Sequence, residues 1–177
     1  MLSCGGCVVV AAELVASAAE RAAVALLLGR PPRAAFRVAA HDVDGSPLVI
    51  ENAPLLDDGT PMPTRFWLVG PRAKMLVGRL ESEGGVDRAE AEVGLAALDV
   101  LHARHQAERD ALLPLNHAGP RPSGGVGGTR RGVKCLHAHY AAYLAGVADP
   151  VGRWVADRLA ELDRPLPTAR TGGAGAR

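Results

Sequence analysis

The stretch AAFRVAAHDVDGSPLVIEN, residues 34–52, separates an α+β protein from an all-helical one. Aromatic and β-branched residues flank Asp44-Gly45, a turn dipeptide, so the stretch reads as two short strands in a hairpin. RFWLVG, residues 65–70, reads as a third strand, aromatic and β-branched and bounded by proline on both sides. Between them LLDDGTPMPT is a loop dense in Asp, Gly and Pro. Apart from the tails and a flexible Gly/Pro loop, HAGPRPSGGVGGTRR (117–131), the rest of the chain is helical in pattern. Residues 11–28 predict a helix stopped by Gly29 and Pro31-Pro32. Residues 71–84 open on a proline and end at Gly84-Gly85. One long helix is predicted over 88–113, an alanine-rich one over 132–146, and Asp149-Pro150 opens a last one to Leu162. The class is therefore α+β: a small antiparallel sheet of about three strands packed against four to five helices. A single domain is expected over 11–163, with tails at 1–10 and 164–177.

The composition narrows the function. The chain has 177 residues and is 48% hydrophobic, enough for one real core. Its 20 Lys+Arg nearly cancel its 19 Asp+Glu, which argues against a generally basic nucleic-acid binder. Two each of Trp, Tyr and Phe leave few platforms on which single-stranded RNA would stack. The three cysteines, Cys4, Cys7 and Cys135, are an odd number, as in free thiols of a reducing compartment. The N-terminus lacks a basic start, Glu13 interrupts its apolar run, and no segment reaches the ~20 residues of a membrane span. A cytoplasmic protein without membrane insertion is expected. The Cys4–Cys7 spacing has no partner pair and reads as incidental.

Chemistry is concentrated in GVKCLHAHYAAYLAG, residues 132–146. In a strand, residues 135, 137 and 139 would share a face. In the helix that the alanines favour, Cys135 and His139 lie one turn apart and His137 points nearly opposite. Cys135 with His139, completed from another helix, is then the metal candidate, and zinc accepts both ligand types. Alternatively, Cys135 is a thiol activated at a helix N-terminus, with His102 or His139 as base, or these are ordinary packed residues. A histidine triad and a cysteine-phosphatase loop both fail at Ala141, and no H-E-x-x-H is present.

The preceding loop, GGVGGTRRGVK (124–134), places five glycines and three cations before a helix. A bound anion would suit those cations and the backbone of Gly127 and Gly128; the alternative is an arginine-rich linker. It is not a Walker loop, since the G-K-[ST] ending is missing. On the long helix Leu95, Leu98, His102, His105, Arg109 and Leu112 form one stripe. Its polar middle faces either a cleft or hydrogen-bonding partners on other helices. Arg109 could clamp an anion or pair with an acid on a neighbouring helix, while Asp110 points elsewhere. Asp57 and Asp58 read as turn acids or as metal ligands.

Several segments, in order, cover nearly the whole chain: LGRPPR (28–33), DGTPMPTRFWLVGP (58–71), RLESEGG (79–85), His102 with Arg109-Asp110, GVKCLHAH (132–139) and DPVGRWV (149–155). Together they resemble the bacterial "domain of unknown function 501" family, best populated in actinobacteria. The chain departs from that pattern at Met62, where Phe is usual, and at His105, where Tyr is frequent. The resemblance implies a fold and a gene class rather than an activity. Members often neighbour genes for a septum-formation initiator protein, enolase and an exopolyphosphatase-like protein.

Two expectations follow. In the first, loop 124–134, Cys135, His137, His102 and Arg109 surround a polar cleft. The cleft binds a phosphorylated small molecule through Arg109, Lys134, Arg130, Gly127 and Gly128. Cys135, His137 and His102 act on it, through zinc or as nucleophile and base, in a hydrolase-like reaction. In the second, the protein is a non-enzymatic interaction module associated with a cell-division partner, and an exposed apolar patch matters instead.

Overall fold

Helix α1 (Ala18–Leu28) begins where its own sequence caps it. The Ser17 side chain accepts the Glu20 amide at 3.2 Å, and Glu20 Oε2 accepts the Ser17 amide at 2.7 Å. This reciprocal box sets the N-terminus inside the predicted 11–28. Gly29, at φ 69°, closes the other end in the left-handed conformation, as expected. The computed structural model describes residues 14–162. The expected tails at 1–10 and 164–177 lie outside the described residues, as do Cys4 and Cys7.

Strands β1 (Phe36–His41), β2 (Pro47–Asn52) and β3 (Phe66–Leu68) form one antiparallel sheet in the order β1-β2-β3. The hairpin turns at Asp44-Gly45 as predicted, with Asp44 Oδ1 accepting the Ser46 amide at 2.9 Å. β3 is shorter than the predicted 65–70, because the Val69 and Gly70 amides both donate to the one carbonyl of Leu48. The sheet is covered on both faces. On one, Phe36, Ile50 and Val69 pack with Val24 of α1. On the other, Val49, Phe66 and Leu68 join the main core of Val77, Leu80, Leu98, Leu136, Val151 and Val155. Each such buried side chain contributes roughly 1.5–3 kcal/mol.

Five helices follow the sheet: α2 (Pro71–Ser82), α3 (Gly85–Val93), α4 (Leu95–Asp110), α5 (Leu136–Leu144) and α6 (Pro150–Leu162). The architecture is α+β, with six α-helices among the described residues rather than four to five. The extra one arises at Gly94, whose φ of 80° and ψ of 145° break the predicted long helix in two. Glycine alone adopts such a conformation without strain, and it lets α4 leave α3 in a new direction. No helix among the described residues is long and apolar enough to cross a membrane.

Candidate functional site

The start of α5 departs from the sequence expectation, with chemical consequences. Cys135 is not inside a first helical turn. It is the N-cap residue, with extended backbone at φ −158° and ψ 123°. The helical rotation that would set Cys135 opposite His137 therefore does not apply between them. Cys135 Sγ lies 3.7 Å from His137 Nδ1. His139 turns into the core instead. It is 1% exposed, with Nδ1 on the Asp149 carboxylate at 2.9 and 3.1 Å. Asp149 in turn caps α6 by accepting the Gly152 amide. The expected Cys135–His139 metal pair is thus not assembled, because the helix begins at Leu136 rather than near Gly132 and His139 is taken by Asp149.

A residue inside the RLESEGG segment, not among the expected site residues, completes the cluster. Glu81, in the last turn of α2, places Oε1 3.2 Å from His137 Nδ1 and accepts the Leu136 amide at 2.7 Å. The first turn of α5 therefore has an anion from within the chain. The other imidazole nitrogen, Nε2, is 3.1 Å from the Lys74 carbonyl. A carbonyl only accepts, so Nε2 carries hydrogen and Nδ1 faces Cys135 and Glu81. One donor atom each from Glu81, Cys135 and His137 lies within 4.8 Å of the others. The Cys135 contact first, then the Lys74 carbonyl and Glu81, outweigh partial burial and raise the His137 pKa to about 9. Cys135, His137 and Lys74 also line a cavity of about 260 Å³ with Thr64, Trp67 and Leu68.

His102 and Arg109 sit elsewhere, behind the glycine loop. Arg109 is 0% exposed, and every guanidinium N–H has an acceptor. Nε and Nη2 donate to Asp110 Oδ1 at 2.9 and 2.8 Å, Nη2 to Pro122 O at 3.0 Å, and Nη1 to Gly124 O at 2.7 Å and Pro63 O at 3.5 Å. Its acid is thus its own neighbour Asp110, which was expected to point away, and not one on another helix. His102 is equally occupied. Nδ1 accepts the Val126 amide at 3.2 Å, and Nε2 donates to the Gly132 carbonyl at 2.8 Å. Gly125 lets the loop close on this ring, since a Cβ there would lie 2.4 Å from His102 Cβ.

The loop is folded, with a short 3₁₀ turn at Val126–Gly128. Gly128 donates its amide to Gly125 O, Gly125 donates to Thr129 O, and Val133 donates to Glu90 Oε2. Arg130, Arg131 and Lys134 remain exposed and form no ion pair among the described residues. His105 is buried with Nε2 unpartnered. Burial, then the charges of Arg109, Arg65 and His139, lower its pKa to about 4, against one hydrogen bond at the Pro63 backbone. Asp58 pairs with Arg33 and accepts the Thr60 amide, as a turn acid does.

These features define a small α+β protein with, among the described residues, one thiol–imidazole–carboxylate cluster beside a cavity. It belongs to the family described as "Protein of unknown function (DUF501)", whose model matches residues 38–157. The matched span contains Lys74, Glu81, Cys135 and His137. No curated protein and no solved structure matches the chain.

Proposed function

We propose that this protein binds a small anionic ligand, of the phosphorylated kind, in the cavity beside Cys135 and acts on it as a hydrolase. The observation that carries the reading is a shared wall: Cys135, His137 and Lys74 line one volume. Lys74 attracts the anion, and Trp67 and Leu68 seat an apolar remainder. Exposed Arg130 and Lys134 add to the attraction at longer range. The saturated donors of His102 and Arg109 leave them to hold the loop, and the chemistry to Cys135 and His137. A thiol in this position is useful only when reduced, which supports a cytoplasmic location.

The test is titration with phenyl phosphate and with phenol, followed by tryptophan fluorescence. Phenyl phosphate binds better than phenol, and Lys74→Met, which keeps the backbone carbonyl under His137, removes most of that difference. A charge contact of this kind is worth about tenfold in affinity. Equal, weak binding of both compounds overturns the reading.

A second reading, an interaction module tied to cell division, has one observation in its favour. A groove of about 560 Å³ runs along α2, α5 and α6, floored by Leu48, Leu80, Leu144 and Leu159, with Arg79 among its lining residues. Failure of both titrations would shift the weight to that groove.

A further inference from the structure

We propose that Glu81, Cys135 and His137 form a three-ligand site for a zinc-like divalent metal, with a fourth position open to the cavity. The inference deepens the reading above and rests on it for what the metal would act upon.

The distances fit. Tetrahedral zinc, with Zn–S near 2.3 Å and Zn–N and Zn–O near 2.1 Å, separates sulfur from nitrogen by roughly 3.6 Å and nitrogen from oxygen by roughly 3.4 Å. Here Sγ to Nδ1 is 3.7 Å and Nδ1 to Oε1 is 3.2 Å. The surroundings fit as well. A metal-bound imidazole commonly donates its other N–H to a carbonyl, and Nε2 does so to Lys74. The Leu136 amide orients the Glu81 carboxylate. All three residues are partly exposed, so the site is open to a metal.

The placement of the carboxylate decides between a metal and a bare Cys-His pair. In nucleophile–base–acid arrangements the third group holds the far nitrogen of the imidazole. Here a neutral carbonyl holds the far nitrogen. Glu81 instead crowds the same nitrogen as the thiol, which brings three donor atoms within 4.8 Å of one another. Thiolate, imidazole and carboxylate together suit zinc. Three protein ligands with an open fourth position are the pattern of catalytic rather than structural zinc. Bound there, zinc would polarise a ligand oxygen or activate a water at the cavity wall. Uptake replaces the protons on the thiol and on Nδ1, releasing them to solvent.

The experiment uses the full chain carrying Cys4→Ser and Cys7→Ser, so that the N-terminal cysteines contribute nothing. The reduced, metal-stripped protein is titrated with cobalt(II) and then zinc. The expected result is one cobalt per chain, with visible bands of a tetrahedral site and a thiolate charge-transfer band, all lost on adding zinc. Cys135→Ser removes the charge-transfer band. Glu81→Gln and His137→Ala each weaken uptake by more than the roughly 10–100-fold cost of losing an outer partner, with circular dichroism showing each variant folded. No uptake, or uptake untouched by Glu81→Gln and His137→Ala, overturns the proposal. Phenyl phosphate binding to the same metal-free protein is read in parallel. Ligand binding without metal uptake sinks the metal site alone, and metal uptake without ligand binding sinks the anion reading alone.

Discussion

Two regions of this protein use the same residue types for opposite ends. Behind the glycine loop, His102 and Arg109 are buried, and both ring nitrogens and every guanidinium N–H have partners. At the start of α5, Cys135 and His137 are only partly buried, and their polar atoms converge beside a cavity. A buried polar group must be satisfied or it destabilises the fold. A group that acts on a ligand must keep some bonding capacity free. The first region is therefore a staple and the second a site, although both read as His with a charged or nucleophilic neighbour.

Arg109→Met should have the largest effect. It strands the carbonyls of Pro63, Gly124 and Pro122 together with Asp110, and should cost about 3–5 kcal/mol in urea unfolding. An unchanged midpoint would break the comparison at once.

Next comes acid. The folded pKa of His105, about 4, lies below its unfolded value of 6.5, so between these the unfolded chain binds more protons. Its stabilisation is complete above pH 6.5 and lost as pH falls toward 4, about 3 kcal/mol in all. His105→Gln should flatten that limb of a stability–pH profile; parallel profiles for the two proteins would remove His105 as the cause.

Gly125→Ala drives a methyl group into His102 and should cost about 1–3 kcal/mol by the same urea measurement. A full-strength loop in that variant would mean that the loop does not bear on the ring.

Smallest is Cys135→Ser. Its thiol is partly exposed and touches His137, so stability should move by no more than about 0.5 kcal/mol. A loss of several times that would make Cys135 a packing residue and dissolve the contrast between the regions.

Much of the frame was legible along the chain. The Asp44-Gly45 hairpin, the third strand and α6 at Asp149-Pro150 all depend on local backbone preference, which neighbouring residues encode. The helical stripe also correctly set Leu98, His102, His105 and Arg109 on one buried face. Its regular spacing runs straight through Gly94, which hid the break between α3 and α4. The site was less legible. Cys135 and His137 were singled out, but the partner assigned to the thiol was His139, on the assumption that the helix already ran through Cys135.

The class, the turns, the stop of α1 at Gly29, the ends of α6 and the candidate residues were readable along the chain, because these follow from interactions within a few residues. Which candidates meet depended on packing across the chain. Glu81 reaches the Leu136 amide across 55 residues, and Lys74 holds His137 across 63. No local pattern records such distances; they exist only once α2 and α5 pack on the same core. The same packing turned His102 and Arg109 into a staple, since their side chains met loop carbonyls and amides before any ligand could.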